Sequence, residues 1–225
     1  MNALDQLPTL VGLGIALGGL VLPVGRLLRH PDSFAARVTE QVFVWALFAV
    51  VLAIIILWEK QSLSSIGFRW HWASLAWGLL LTAMLIFITG PFGDWALKQT
   101  GLAGFEHGLA KLAQLPVWFV TVAALTAGVV EETLYRGYAI ERLALFTSDV
   151  WSAGAVAWIA FCLVHAPFWG WGPVLRMAIA GLPILLFYLW KRDLLACMIA
   201  HALTNLIGLV ILPPRRARAA TAGRS

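Results

Sequence analysis

The residues able to do chemistry are few, and they are concentrated in three short segments. In TAGVVEETLYRGYAIER, Glu131, Glu132 and Arg136 stand at the end of an apolar run that begins near Pro116. His165 in AWIAFCLVHAPF and His201 in LLACMIAHALTNLIG lie inside further apolar runs, and Asn205 follows His201 by four residues. An ionisable group inside a membrane span costs about 2.5–3.5 kcal/mol on the insertion scale, so such groups are rare and usually functional. Glu132 and Arg136, at i,i+4, lie one above the other on a helix. Glu131 is turned about 100° from Glu132, so one carboxylate can pair with the arginine while its neighbour faces a cavity. Taken by itself, this segment fits an interfacial pair reaching water from a helix end equally well, because long charged side chains snorkel. Two intramembrane histidines on separate helices shift the balance toward a site.

That set has the makings of a hydrolase site. A carboxylate withdrawn from water can act as general base toward a water molecule, and a histidine opposite can help orient and deprotonate it. A second histidine and an asparagine amide are hydrogen-bond donors suited to a developing oxyanion. Two histidines and a carboxylate (Glu131, His165, His201) are also a zinc set. HExxH is absent, so spacing leaves metal-dependent and metal-free chemistry both open. Cys197, one turn before His201, has only that histidine nearby to activate it and is a poor nucleophile candidate. Asn205 in an apolar run needs a partner, because an unsatisfied amide in hydrocarbon is expensive. The remaining histidines, His30, His71 and His107, fall in expected loops.

Composition dictates what must carry these residues. Of 225 residues, 61% are hydrophobic and 12% charged, and the mean hydropathy is +0.85. Soluble domains are about half apolar and about a quarter charged, and a chain this small cannot hide the excess in one core. Lipid must therefore solvate much of the surface, which excludes a soluble enzyme, a disordered chain and a disulfide-rich module. Crossing the hydrocarbon takes about 20 apolar residues. Spans are expected at 8–28, 38–58, 73–92, 116–144, 150–166, 172–190 and 194–212, with a polar stretch at 93–115 as an interfacial loop or short surface helix. None of the runs alternates as barrel strands do. The expected fold is all-α, a polytopic transmembrane helix bundle of about seven spans. It divides into N-terminal spans and interfacial loop (1–115), a helical core bearing the polar groups (116–212) and a basic, disordered tail (213–225).

The formal charge of +5 does not imply a nucleic-acid partner. Arg26, Arg29 and Arg37 flank the first gap, and Arg215, Arg216, Arg218 and Arg224 crowd the end, positions of topology determinants and lipid contacts. With Lys60, Arg69, Lys191 and Arg192 on the opposite side, the bias favours N-out, C-in.

The three segments resemble the CAAX protease and bacteriocin-processing (CPBP, or Abi) family of intramembrane proteases. That family's EExxxR, FxxxH and HxxxN read here as Glu131-Glu132-Thr-Leu-Tyr-Arg136, Phe161-Cys-Leu-Val-His165 and His201-Ala-Leu-Thr-Asn205. All three are intact and in order, each on its own span, and the resemblance covers residues 116–212. It implies an intramembrane endopeptidase of a bacterial inner membrane acting on a membrane-anchored protein or peptide. Glu131 would be the general base, His165 would help to activate the water, and His201 with Asn205 would stabilise the oxyanion. Glu132 and Arg136 would hold the architecture. The resemblance favours a glutamate-type mechanism without a cofactor over a zinc enzyme. Two other readings stand beside it: a non-catalytic immunity or binding protein on the same scaffold, and a small proton-coupled transporter.

Overall fold

The computed structural model of the chain describes residues 3–22, 24–27, 30 and 33–211. These residues form helices and turns, with no strand among them. Helix α1 covers Ala3–Gly18 and ends in a tight turn at Gly19–Val21. Helices α2 (Phe34–Trp58) and α3 (Trp72–Thr100) follow, then a short α4 (Glu106–Leu112). The last four are α5 (Val117–Thr147), α6 (Val150–Trp169), α7 (Trp171–Lys191) and α8 (Leu194–Ile211). Six of the eight are long and apolar enough to cross a membrane, and α1 is a shorter apolar helix. The polytopic all-α bundle of about seven spans is what the composition required.

Helix direction follows from the brevity of the last three connections. Ser148-Asp149, Gly170 and Arg192-Asp193 each reverse the chain, and Ser148, Gly170 and Arg192 adopt positive φ (53°, 84° and 49°) to do it. Asp149 and Asp193 then cap α6 and α8, accepting hydrogen bonds from the backbone N–H groups of Ser152 (2.9 Å) and Ala196 (3.0 Å), which satisfies otherwise orphaned helix-start donors. Neighbours are therefore antiparallel. Helices α2, α5 and α7 run one way and α3, α6 and α8 the other. At one end the backbone N–H of Leu194 donates to the Gly67 carbonyl at 3.0 Å, and Ser74 Oγ donates to Asp193 at 2.7 Å. These bonds tie the start of α8 to the first turn of α3 and to the segment preceding it.

Helix α5 is the axis of the packing. Val130, Leu134, Tyr135, Tyr138, Ala139 and Ile140 are all fully enclosed, whereas α2, α3 and α6 turn much of their surface outward. Trp70 and Trp72 are exposed beside the start of α3, as membrane-interface anchors would be.

Three expectations need correction. The first span ends about seven residues early, because the chain tightens at Gly19–Val21 and again at Val24–Leu27. The polar stretch 93–115 contains a short helix, α4, as one of the two alternatives had it, but its first part belongs to α3. Helix α3 continues to Thr100, held by Gly93 packing on Arg176 and by an Arg176–Asp94 ion pair, and stops where Gly101 turns left-handed (φ 68°). His107 accordingly belongs to α4 rather than to a loop. The tail from Leu212 onward, with its expected disorder, lies outside the described residues.

Candidate active site

The helix carrying the two glutamates is not an ordinary α-helix. Across Ala127–Ala139 the hydrogen bonding widens to i→i+5, so each residue rotates less than in an α-helix, and this geometry concentrates at functional sites. Thirteen residues in this form are far more than a single-turn bulge. Two glycines let neighbours close onto the segment. A Cβ on Gly128 would come within 2.6 Å of Ala202 Cβ and 2.7 Å of its backbone N, so α5 and α8 meet nearly backbone to backbone. A Cβ on Gly181 would sit 3.2 Å from Arg136 Nη2, so α7 comes up against the guanidinium.

This packing brings the three segments together. Glu131 Oε2 lies 3.7 Å from His165 Nε2 and 3.9 Å from His201 Nε2. Each of the three side chains retains about 15% exposure (17%, 15% and 14%), so they line an accessible recess rather than a sealed core. Glu132 points elsewhere and is wholly buried. Its Oε1 accepts from His201 Nδ1 at 2.7 Å and lies 3.3 Å from Arg136 Nη1. The sequence expectation that neighbouring carboxylates face different partners thus has a concrete form: Glu132 serves the arginine and one histidine, and Glu131 faces the imidazole edges.

The rings are fixed by their other edges. His165 Nδ1 donates to the Phe161 carbonyl one turn back, at 2.6 Å, leaving Nε2 as a lone-pair acceptor directed at Glu131. Phe161 stacks tilted against His165 (4.8 Å) and edge-on to Tyr135 (5.4 Å), and Arg136 lies 4.2 Å from the centre of its ring. The FxxxH phenylalanine is therefore a hinge plate between arginine and histidine, a role the motif did not announce. Asn205 lies one turn beyond His201, half-buried. Cys197 is fully enclosed with its thiol toward the Ile184 carbonyl (3.9 Å), away from the recess.

Zinc sits about 2.0–2.2 Å from nitrogen and oxygen donors, which puts tetrahedral ligands about 3.3 Å apart. Glu131 stands further than that from both histidines, and His201 Nδ1 is committed to Glu132. Among the described residues no group of three or more His, Cys, Asp or Glu side chains is disposed to hold a metal.

Comparison with known families bears on the same stretch. Residues 113–207 match the family model of the type II CAAX prenyl endopeptidases, Rce1-like. This segment is similar to that family. The match spans somewhat under half of the chain, takes in Glu131 through Asn205, and bears out the resemblance carried by the three motifs. No curated protein and no solved structure matches the chain. Together with six helices long and apolar enough to cross a membrane, the match indicates a multi-pass membrane protein.

Sequence reasoning passed over several participants. Tyr135 and Trp158 each bury a polar atom without a hydrogen-bond partner beside this cluster. Glu59, Arg142 and Glu141 form a second ionic set at the far end of α5. The charges of Glu141-Arg142 were visible in the motif segment, but their ionic partners, Arg192 and Glu59, 51 and 83 residues away, were not.

Proposed function

We propose that the chain is an intramembrane endopeptidase that hydrolyses a peptide bond in a membrane-anchored, prenylated protein or peptide, with a water activated by Glu131 and no metal. The observation that carries this reading is the spacing of Glu131 Oε2 from the two imidazole Nε2 atoms, 3.7 and 3.9 Å. Polar atoms separated by more than about 3.5 Å in a recess suit a water held between them. Glu131 takes the proton as the water attacks the carbonyl carbon, and His165, whose Nε2 lone pair faces the same point, orients the water through a second hydrogen bond. The new C–O bond drives the carbonyl electrons onto oxygen. His201, with one nitrogen bonded to Glu132, donates from Nε2 to that oxyanion as an imidazolium, and the Asn205 amide supplies a second donor. Collapse of the tetrahedral species expels the amine, which takes the proton from Glu131.

Glu132 and Arg136 act through His201. The carboxylate fixes the imidazole's rotation, and the arginine over Phe161 holds the carboxylate. The Rce1-like match supports the prenylated substrate class, and the retained exposure of the three reacting side chains supports access for one.

The test is cleavage of a panel of membrane-anchored peptides, prenylated and plain, by the purified protein in detergent, beside Glu131→Gln and with a chelator. Cleavage by wild type that survives chelation and is lost in the variant is the expected result. Inhibition by chelator would replace the glutamate mechanism with a metal one. Unchanged turnover in Glu131→Gln would remove Glu131 as base.

A further inference from the structure

A lateral groove of about 290 Å³ separates α2 from the first half of α5, walled by Val38, Val42 and Trp45 on one side and Trp118 and Val122 on the other. One residue in this apolar wall does not belong there. Gln41 lines the groove, and its amide oxygen is buried without a hydrogen-bond partner. An unmet amide oxygen among apolar side chains is costly, so its persistence in a span calls for a ligand that completes it.

The register of α2 sets Gln41 between two contacts with the helices that carry the recess residues. Arg37, Gln41 and Trp45 share one face at successive turns. The Arg37 guanidinium lies 6.0 Å from the ring centre of Phe168, three residues beyond His165. Trp45 Nε1 donates to Thr126 Oγ1 at 3.1 Å, five residues before Glu131. Gln41 therefore stands between the two points where α2 touches the helices bearing the general base and its histidine.

We propose that Gln41 pairs with the backbone of the substrate, holding an extended segment along α2 as it enters the recess. This inference rests on the endopeptidase reading. The choice of occupant follows from chemistry. A hydrocarbon chain offers nothing to an amide. A helical peptide has already satisfied its own backbone. An extended segment in hydrocarbon carries free N–H and C=O groups that must find partners, and a primary amide presents one donor edge and one acceptor edge, the complement of a peptide unit. Main-chain pairing of this kind gives affinity without demanding a particular side chain.

Gln41→Met keeps the shape and removes the amide. It is assayed with a farnesylated peptide ending Cys-Val-Leu-Ser and with versions N-methylated in turn at each of the last four amides, using full-length protein in detergent. For wild type, one methylation is expected to raise KM roughly fivefold, the worth of one backbone hydrogen bond. In Gln41→Met the unmethylated peptide already carries that fivefold rise, the same methylation adds less than about twofold, and kcat stays within about twofold. The thermal midpoint should hold or rise, because an unpaired buried amide has gone. Gln41→Leu serves as a second apolar variant. Independent, multiplicative penalties in an active enzyme overturn the pairing and leave the hydrolase reading intact. A lowered midpoint with reduced kcat makes Gln41 structural and overturns it also. Failure of wild type to cleave any peptide removes the endopeptidase reading, and this inference with it.

Discussion

Helix α5 carries two ionic clusters of nearly the same residue types, and they are finished to different degrees. Near its end, Glu59, which caps α2, is enclosed by donors. Its Oε1 accepts from Tyr138 (2.8 Å) and Thr9 (3.1 Å), and its Oε2 takes both Nε and Nη2 of Arg142 (2.9 and 2.7 Å). Arg142 reaches Ser65 as well, at 3.1 Å. Next to it Glu141 pairs with Arg192 and accepts from Tyr188 at 2.9 Å. A turn and a half earlier, Arg136 Nε and both Nη atoms, Glu132 Oε2 and the Tyr135 hydroxyl make no hydrogen bond. Glu131 stands off from both histidines. Where every lone pair is met, the cluster can only hold helices together. Where a partly exposed carboxylate is held short of its neighbours, as Glu131 is, capacity for a water remains.

That contrast yields variants that should separate stability from turnover. The largest effect is expected at the finished cluster. Arg142→Met leaves the Glu59 carboxylate buried without its bidentate partner (side chains 5% and 7% exposed), a loss of about 3–5 kcal/mol seen as a lowered midpoint in thermal unfolding. A midpoint within a degree of wild type would deny that this cluster clamps α2 to α5. At the open cluster the pattern should invert. His165→Gln should cut kcat/KM about 100-fold, about 2.7 kcal/mol of barrier, while thermal unfolding barely moves.

Gly128→Ala tests the close approach that joins the two clusters' frames. Its Cβ would meet backbone atoms of Ala202 that cannot swing aside. Overpacking of about 1–3 kcal/mol should appear together with lost turnover, because α8 carries His201. Wild-type activity in that variant would mean that α8 tolerates a shift the proposed geometry forbids.

The smallest effect belongs to Asp149, which caps α6 outside the membrane spans. The Ser152 hydroxyl and the amides of Ser152 and Trp151 hold its carboxyl below the usual carboxylate range. Its contribution is therefore complete above the ordinary carboxylate pKa and is lost as pH falls through the lowered value. Asp149→Ala should slightly lower the midpoint at neutral pH, lose that difference in acid, and leave turnover unchanged.

Much of this was legible from composition and pattern, and the rest was hidden for identifiable reasons. Apolar runs of membrane-spanning length located α2 and α5 to α8, since length against bilayer thickness is a one-dimensional criterion. Asp94 and Lys98 disguised the end of α3, and the cost of Asp94 is offset by Arg176, a residue of a helix four elements later. The pairing of Glu132 with Arg136 followed from i,i+4 spacing. The widened helix that aims Glu131 at two imidazoles did not, since nothing in GVVEETLYRGY signals i→i+5 bonding; it arises where Gly128 and Gly137 let α8 press inward. Glu59 follows directly on the second apolar run with no partner in reach along the sequence, and only the fold supplies its four donors.

The most direct test of the account measures turnover per folded molecule and thermal midpoint for Glu131→Gln beside wild type. The substitution keeps size and hydrogen-bonding capacity and removes the proposed base. An unchanged midpoint and a fall in turnover of about 10³-fold, within the range of general-base catalysis, are expected. Retained turnover, or a midpoint lowered as far as that of Arg142→Met, would place Glu131 among the structural carboxylates and contradict its role as base.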